Sequence, residues 1–222
     1  MIKLRKIDTV LFDLDGTLID SNELIVKCFE LTFRKYMPER NFSNEELVEM
    51  VGPPLKETFA IVSKDPVVIQ EMIEYYRDYY ISHEFDYISI YPEVLSTLKN
   101  LYDRGFNLGV VTTKFSRSAM PSIKHYGMDK YFNTYCFLDD IREHKPHPEP
   151  VFYALKQLKS YNKVVFVGDN TSDILAGRNA SVLTCGVNWS IKRELIKNLN
   201  PDFWINDFSD LLKVIDDYNE EE

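Results

Sequence analysis

The segment TVLFDLDGTLIDSNEL, residues 9–24, contains the pattern that decides the fold. Residues 10–12 form an unbroken apolar run, which is typical of a strand buried on both faces of a parallel sheet. The run ends at Asp13 and Asp15, and Gly16 beside them permits a sharp departure from the strand. Carboxylates at the end of a buried strand are costly unless a positive group lies near them. The segment therefore predicts a central strand with a cation next to its end.

The overall composition narrows the classes of partner. The chain has 222 residues, of which 45% are hydrophobic, and its formal net charge is −9. An acidic chain is a poor match for nucleic acid or for an anionic membrane surface. The N-terminal residues lack the length and the cleavage site of a signal peptide, and no stretch approaches a membrane span. We predict no nucleic-acid partner, no membrane partner, and a monomer or weak homodimer.

The cysteines indicate a reducing compartment. Cys28, Cys136 and Cys185 are odd in number and widely spaced, and they match no zinc or redox pattern. Three reduced thiols in the core are the simplest interpretation, because disulfides belong mainly to oxidising compartments. We therefore predict a cytoplasmic protein.

Apolar runs recur along the chain after the first one. Segments with helical spacing, such as 92–101 and 148–158, separate most of them. Strands that alternate with helices form βαβ units and a parallel sheet. We predict an α/β fold with a Rossmann-like doubly wound parallel sheet at its core. Its strand candidates are residues 10–14, 108–112, 134–138, 164–168 and 183–187.

One interval breaks this alternation. Roughly ninety residues separate the first two strand candidates, which is far more than a crossover helix needs. Residues 22–83 have the pattern of consecutive helices without a strand, and SNEELVEM begins like a capped helix. We predict an inserted α-helical domain at 19–85 and a core domain formed by 1–18 and 86–222. The two connections, near 18–21 and 85–91, are the expected pivots.

Polar residues follow the predicted strands at one edge of the sheet. Ligands of open parallel sheets bind outside the carboxyl ends of the strands, so these residues are expected to converge. Clustered carboxylates repel one another without a cation, and their hard oxygens suit Mg²⁺ that keeps waters for a phosphate. A carboxylate can also attack phosphorus, while a hydroxyl and an ammonium group bind phosphoryl oxygens. The residues are Asp13, Asp15, Gly16, Thr17, Thr112, Thr113, Lys114, Lys145, Asp169 and Asp173.

Four segments now carry a resemblance to a known family. DLDGTLID, VVTTK, KPHPEP and GDNTSD, in this order, resemble the four motifs of the haloacid dehalogenase-like (HAD) superfamily. The helical insertion lies where that family has its C1 cap domain. The resemblance implies a Rossmann-like core, a helical cap, and Mg²⁺ as cofactor. It also implies that the positive partners of the first two aspartates are the metal and Lys145.

The resemblance implies metal and catalytic roles for the aspartates. Asp13 would be the nucleophile and a Mg²⁺ ligand. Asp15 would be the general acid and base, and its backbone carbonyl would also contact the metal. Asp169 would complete the metal site, and Asp173 would act through a coordinated water or a hydrogen bond behind the ligands.

A second set of residues would bind the substrate. Thr112 would hold the phosphoryl group, and Lys145 would bridge that group and the Asp13 carboxylate. VGPPLKETF, residues 51–59, resembles the cap loop that faces the active site in phosphoglycolate phosphatases and related pyrophosphatases. The predicted substrate-binding residues are Gly16, Thr17, Thr112, Thr113, Lys145, Gly52 and Pro53.

Several of these residues also have simpler interpretations. Asp173 could only cap the following helix, because aspartate is common in a first helical turn. Thr113 fits an ordinary strand end. Lys114 fits a solvated surface lysine, although a residue at this position could also contact the substrate. His144 and His147 flank Lys145 but stand around a proline at a spacing that does not favour a shared zinc.

The motifs discriminate among the reactions of the superfamily. Asp15 argues against a dehalogenase, because such enzymes lack this acid/base residue. VVTTK and the 51–59 loop favour the phosphoglycolate phosphatase and pyrophosphatase branch over β-phosphoglucomutase, which remains the alternative. A receiver-like signalling module, from another class, has its motifs in a different order. We predict a Mg²⁺-dependent phosphatase that hydrolyses a small phosphorylated metabolite or pyrophosphate through an aspartyl-phosphate.

Overall fold

The computed structural model describes residues 6–221, which divide into two compact units. The larger unit contains the residues up to Ile19 and those from Ile90 onward. The smaller unit is Asp20–Ser89. The sequence predicted an insertion at 19–85, so the second boundary lies four residues later than expected. The cause is helix α4 (Pro66–Tyr87), which continues past residue 83, the predicted end of the helical run.

The larger unit is built on a six-stranded parallel sheet. In space, the strands follow the order β5, β4, β1, β6, β7, β8. The chain therefore moves outward from β1 on one side and then returns to fill the other side, as in a doubly wound sheet. The strands are β1 (Ile7–Phe12), β4 (Asn107–Val111), β5 (Thr134–Cys136), β6 (Lys163–Gly168), β7 (Leu183–Val187) and β8 (Phe203–Ile205).

Helices pack against the strands of this sheet. Helices α7 and α8 contact each other and the strands β4 to β7, whereas α5 and α10 contact each other and β1, β4 or β8. The helices of the larger unit are α5 (Val94–Asp103), α6 (Ser116–His125), α7 (Glu149–Lys156), α8 (Thr171–Asn179), α9 (Arg193–Asn198) and α10 (Asp210–Glu221).

Strand β1 is buried on both faces of the sheet. Leu11 belongs to the apolar cluster formed with α7 and α8, which also includes Val151 and Phe166. The next residue, Phe12, points the other way and stacks on Phe208 with ring centroids 5.8 Å apart. Alternate residues of a strand face opposite sides, so this pair shows directly that both faces are covered. Burial on both faces of the sheet therefore explains the unbroken apolar run at residues 10–12, as the sequence predicted.

The predicted strand bounds differ most from the observed ones at two strands. The first candidate, 10–14, is observed as Ile7–Phe12, because the loop that carries the two aspartates begins after Phe12. The third candidate ends at Cys136 rather than at 138, because Leu138–Asp140 forms a 3-10 turn. Strand β8 was not predicted. It has only three residues, which is too short for a periodic signal to emerge from the sequence.

The smaller unit is α-helical. Its core is aromatic: the ring of Phe29 lies within 6.0 Å of Phe33, 5.8 Å of Phe59 and 5.0 Å of Tyr76, centroid to centroid. Ser43 and Glu46 form the reciprocal cap that SNEELVEM predicted. The helices are α1 (Asn22–Tyr36), α2 (Asn44–Glu49), α3 (Leu55–Val62) and α4 (Pro66–Tyr87).

The two connections between the units run side by side. Strands β2 (Ile19–Asp20) and β3 (Ser89–Ile90) pair as a separate two-stranded sheet. Just inside the larger unit, the backbone N–H of Tyr91 donates to the carbonyl of Leu18 at 3.1 Å. The chain therefore leaves the larger unit and re-enters it at neighbouring points.

Two further expectations concern the whole chain. Over residues 6–221, none of the helices combines the length and the apolar character that crossing a bilayer requires. Cys28, Cys136 and Cys185 are all buried and form no disulfide with one another, in agreement with the predicted core thiols.

Candidate active site

Asp13 lies directly after the central strand β1, at the carboxyl edge of the sheet. Its backbone N–H donates to the carbonyl of Val167 on β6 at 2.9 Å, which continues the strand pairing to the aspartate itself. The side chain is buried, and its Oδ1 accepts a hydrogen bond from Lys145 Nζ at 2.8 Å. The positive partner that the sequence requires at this strand end is therefore present within the protein.

Lys145 is the buried cation of the site, and only 3% of its side chain is exposed. Its ammonium group donates to three acceptors: Asp13 Oδ1 at 2.8 Å, Asp173 Oδ1 at 2.6 Å and the Val111 carbonyl at 3.1 Å. An ammonium group has three N–H donors, so these bonds use its full capacity. Lys145 thus ties the ends of β1 and β4 to the start of α8.

Asp169 follows β6 and faces the loop after β1. Its Oδ1 accepts a hydrogen bond from the buried Thr17 hydroxyl at 3.0 Å. Gly16 has a φ of +79°, and a Cβ atom at this position would collide with the Asp169 carboxylate. Gly16 is therefore required both for its backbone conformation and for this close approach. Thr17, predicted to bind substrate, uses its hydroxyl to orient Asp169.

Asp173 caps the following helix, which is the simpler of its two interpretations, and it also contacts Lys145. Its Oδ2 accepts from the Asn170 backbone N–H at 2.9 Å and completes a reciprocal cap at the start of α8. Its Oδ1 accepts from Lys145 Nζ at 2.6 Å. Each oxygen of the Asp173 carboxylate thus accepts a hydrogen bond from a donor of the protein. The contribution of Asp173 to the metal site stays a prediction.

The electrostatic balance of the cluster is negative. The side chains of Asp13, Asp169 and Asp173 are buried around one ammonium group, that of Lys145. Burial raises the pKa of Asp13 to about 7; Lys145 opposes this shift and Asp173 adds to it. Burial also raises the pKa of Asp169, and the charges on Asp13 and Asp173 raise it further. For Lys145, burial would lower the pKa, but the two adjacent carboxylates outweigh it, so its pKa is raised.

These residues fit a divalent metal ion. Asp13, Asp169 and Asp173 each offer a carboxylate oxygen, and these oxygens lie within 4.8 Å of one another. A second cation would favour the ionised forms of Asp13 and Asp169, whose pKa values burial has raised. Oxygen ligands of this type are those that hard cations prefer. The cluster can therefore hold a divalent metal between the ends of β1 and β6.

The end of β4 brings a second lysine into the site. Thr112 is buried, and its hydroxyl accepts from the Lys114 backbone N–H at 3.1 Å. Thr113 is half-buried between them. Lys114 is not a solvated surface lysine: its side chain is 16% exposed, and its Nζ lies 2.9 Å from Asp15 Oδ1. The sequence predicts both residues at this edge of the sheet, but it does not indicate that they pair.

Two residues of the site were not predicted. Trp189 and Ser190 follow β7, at the same edge of the sheet. Trp189 Nε1 donates to the Gly16 carbonyl at 3.1 Å, and Ser190 Oγ donates to the Asp169 carbonyl at 2.6 Å. The rule that functional residues follow strand ends could have found them, had it been applied to β7 as well.

Two predicted substrate-binding residues lie in the smaller unit, and two histidines flank Lys145. Gly52 and Pro53 belong to the smaller unit, in the turn between α2 and α3, where Gly52 has a φ of +116°. Their contribution to substrate binding stays a prediction. His144 Nδ1 lies 2.7 Å from the Lys145 carbonyl, and His147 Nδ1 accepts from the Glu149 N–H at 3.2 Å. Both rings thus have local backbone partners.

Known proteins resemble this chain along nearly its whole length. Pyrophosphatase PpaX of Listeria monocytogenes serotype 4b (strain CLIP80459) is 42% identical over 214 residues, which cover 96% of this chain and 98% of that protein. Pyrophosphatase PpaX of Bacillus pumilus (strain SAFR-032) is 45% identical over 212 residues, covering 94% and 96%.

Solved structures share the fold, and a family model covers most of the chain. A predicted phosphatase from Clostridium acetobutylicum has a TM-score of 0.80 at 28% identity, covering 95% of this chain and 98% of that one. A predicted phosphoglycolate phosphatase from Haemophilus somnus has a TM-score of 0.84 at 24% identity, covering 95% and 99%, and shows the fold alone. The model of the haloacid dehalogenase-like hydrolases matches residues 10–187. With its parallel sheet and its aspartate cluster, this chain belongs to the haloacid dehalogenase-like hydrolase family.

Proposed function

We propose that this hydrolase is a Mg²⁺-dependent phosphatase that acts on inorganic pyrophosphate through an aspartyl-phosphate on Asp13. The observation that carries the proposal is the buried group formed by Asp13, Lys145, Asp169 and Asp173. It combines a carboxylate oriented by an ammonium group with two further carboxylates beside it. A nucleophile, a cation that binds phosphoryl oxygens and a metal site are what phosphoryl transfer to a carboxylate needs.

Asp13 would perform the first step. One of its carboxylate oxygens attacks the phosphorus atom, and the bond from phosphorus to the leaving oxygen breaks. The electron pair of that bond stays on the leaving oxygen, which takes a proton from Asp15. Lys145 holds Asp13 in a fixed orientation and would exchange its bond to the Val111 carbonyl for one to an oxygen of the transferred group, which Thr112 would also bind. Fixed donors aimed at developing charge are usually the largest source of rate acceleration.

Asp15 would perform the second step. Having lost its proton, it accepts one from a water molecule, which attacks the phosphorus of the aspartyl-phosphate. Phosphate leaves, and the Asp13 carboxylate is restored. One group acting first as acid and then as base returns the enzyme to its starting state.

Asp13, Asp169 and the Asp15 backbone carbonyl would hold Mg²⁺, with Asp173 behind them. When bound, the ion supplies positive charge that draws the phosphate in and balances the nearby carboxylates. This local attraction is needed because the chain as a whole carries a net charge of −9. The three buried cysteine thiols, which form no disulfide with one another, agree with a reducing compartment such as the cytoplasm.

Pyrophosphate is the proposed substrate because relatives more than 40% identical over 94% or more of the chain are named pyrophosphatases. The test is phosphate release by the purified protein from pyrophosphate, phosphoglycolate, a sugar phosphate and a nucleotide. We expect Mg²⁺-dependent release, fastest from pyrophosphate, and inhibition by excess Ca²⁺, whose looser coordination misaligns the nucleophile.

The matched control is Asp13→Asn, which keeps the size of the side chain but removes the nucleophile. Full turnover in the presence of a chelator would contradict the metal role. Slower release from pyrophosphate than from the other compounds would contradict the choice of substrate.

A further inference from the structure

The site contains two lysines in different surroundings. Lys145 has a side chain 3% exposed and donates to Asp13, Asp173 and the Val111 carbonyl. Lys114 has a side chain 16% exposed and lies 2.9 Å from Asp15 Oδ1. The first is a buried part of the nucleophile's surroundings. The second sits beside the acid/base residue and is more accessible to a ligand.

The backbone fixes the position of Lys114. Its N–H donates to the Thr112 hydroxyl at 3.1 Å, and its carbonyl accepts from the Leu138 N–H at 2.9 Å. Both backbone groups are therefore anchored, on the loop that also carries the proposed phosphoryl-binding Thr112. The ammonium group is presented from a rigid base, and this lowers the conformational cost of binding a ligand.

We propose that Lys114 binds the leaving phosphate of pyrophosphate and thereby selects this substrate. The inference rests on the proposed function. The two phosphorus atoms of pyrophosphate share one bridging oxygen, which is the atom that Asp15 protonates. The leaving phosphate is thus bonded directly to an oxygen in contact with Asp15, and a cation 2.9 Å from Asp15 is within reach of its charge.

Other phosphorylated substrates place their charge differently. In phosphoglycolate the atom beyond the ester oxygen is a carbon, and the carboxylate lies one carbon farther away. In a sugar phosphate the leaving group has no charge. Lys114 therefore favours pyrophosphate over phosphoglycolate and over a sugar phosphate. Lys145 and Thr112 do not distinguish these substrates, because they bind the transferred phosphoryl group, which is the same in all three. Lys145 thus binds the transferred phosphate of pyrophosphate, and Lys114 binds the leaving phosphate.

The test compares substrates in Lys114→Met, which keeps the length of the side chain and removes the charge. We expect kcat/KM for pyrophosphate to fall by about 10- to 100-fold, as for a lost hydrogen bond to a charged group. The loss for phosphoglycolate is expected to be at least tenfold smaller. Lys114→Arg should restore part of the preference. Lys213→Met, at a side chain 81% exposed on α10, is the control and should behave as the wild type.

Binding gives a second readout that does not depend on turnover. In an Asp13→Asn background, titration calorimetry with pyrophosphate and Mg²⁺ should show weaker affinity when Lys114→Met is added. Equal losses on pyrophosphate and phosphoglycolate, or unchanged pyrophosphate affinity, would show that Lys114 only orients Asp15, and would overturn this inference alone. A wild-type enzyme that cleaves phosphoglycolate but not pyrophosphate would overturn the proposed substrate and this inference together.

Discussion

Asp13 and Asp15 stand two residues apart, yet their surroundings differ. Asp13 is buried against Lys145, and burial raises its pKa to about 7. Asp15 is more exposed and pairs with Lys114. A nucleophile benefits from a fixed, water-poor setting, whereas a residue that gives and takes protons needs access to the leaving group and to water. The contrast supports different tasks for the two carboxyl groups.

Replacing each aspartate by asparagine should separate these tasks. Asp13→Asn removes the attacking oxygen, so we expect no turnover and no trapped phosphoenzyme. Asp15→Asn loses the acid and base, so turnover should fall by about 10²- to 10⁴-fold. With 4-nitrophenyl phosphate, whose leaving group needs no proton, the first step should slow less than the second. Rapid-quench measurements should then detect accumulated phosphoenzyme.

Two results would contradict the roles assigned to Asp13 and Asp15. Normal turnover by Asp13→Asn would show that Asp13 is not the nucleophile. Equal slowing of both steps in Asp15→Asn, with this leaving group, would show that the residue is not a proton donor and acceptor.

The residues of the site differ in how far sequence could predict them. Asp13 and Asp169 could be proposed because each directly follows a strand, where the topology forces convergence. Lys145 lies in the loop before α7 and could be proposed from its motif. The pairing of Lys114 with Asp15 could not, because it depends on how a flexible side chain packs between two loops. Propensity and motif spacing carry no information about such a contact.

At the scale of elements, the loop after β7 links the two loops that hold the aspartates. Trp189 binds the Gly16 carbonyl and Ser190 the Asp169 carbonyl. The Trp189 ring also packs against Tyr91 and Phe208, with centroids 5.4 and 6.0 Å away. A rigid indole thus fixes the backbone beside Asp15. Support of this kind keeps reacting groups within the narrow tolerance that catalysis requires.

Trp189→Phe should loosen this loop while keeping the aromatic packing. The lost hydrogen bond contributes about 0.5–1.5 kcal/mol, so we expect kcat to fall roughly 3- to 10-fold with KM little changed. The melting temperature should fall by no more than about 2–4 °C. Steady-state kinetics and thermal unfolding measure both effects.

Trp204→Phe is the matched control for this experiment. Trp204 lies in β8, and its ring packs beside Lys197 rather than against the site. A similar loss of kcat in both variants, or a KM effect alone for Trp189→Phe, would refute a positioning role for Trp189.

Sequence patterns predict long buried strands better than they predict short elements. Strand β1 was predictable because both of its faces are covered, which produces a continuous apolar run. Strand β8 has three residues, and the 3-10 turn at Leu138–Asp140 ends β5 by local backbone geometry rather than by composition. Short elements are decided by tertiary contacts, which override local preference.

At the scale of the whole molecule, one predicted determinant of substrate choice lies outside the unit that carries the chemistry. The cluster around Asp13 lies entirely in the larger unit, whereas the 51–59 loop lies in the smaller one. Loops that carry specificity are commonly separate from the scaffold that carries the chemistry. Substitutions in this loop should therefore change substrate choice without changing the cluster around Asp13.

Substitutions in the 51–59 loop should change the ranking of substrates. Lys56 is exposed on the first turn of α3, and Pro53 is exposed just before it. We expect Lys56→Ala and Pro53→Ala to alter kcat/KM unequally across a panel of phosphate compounds. Lys64→Ala, also exposed in the smaller unit, is the control. An unchanged ranking in both loop variants would remove this loop as the element of specificity.

The pairing of β2 with β3 makes the smaller unit an exchangeable module. Paired strands lie about 4.8 Å apart, a gap that two or three glycines span. A chain in which Gly-Ser-Gly joins Ile19 to Ile90 should therefore still fold cooperatively, as thermal unfolding would show. The same junction could accept a helical domain from another protein by recombination of gene segments. New specificities could then arise on this scaffold without any rebuilding of its catalytic sheet.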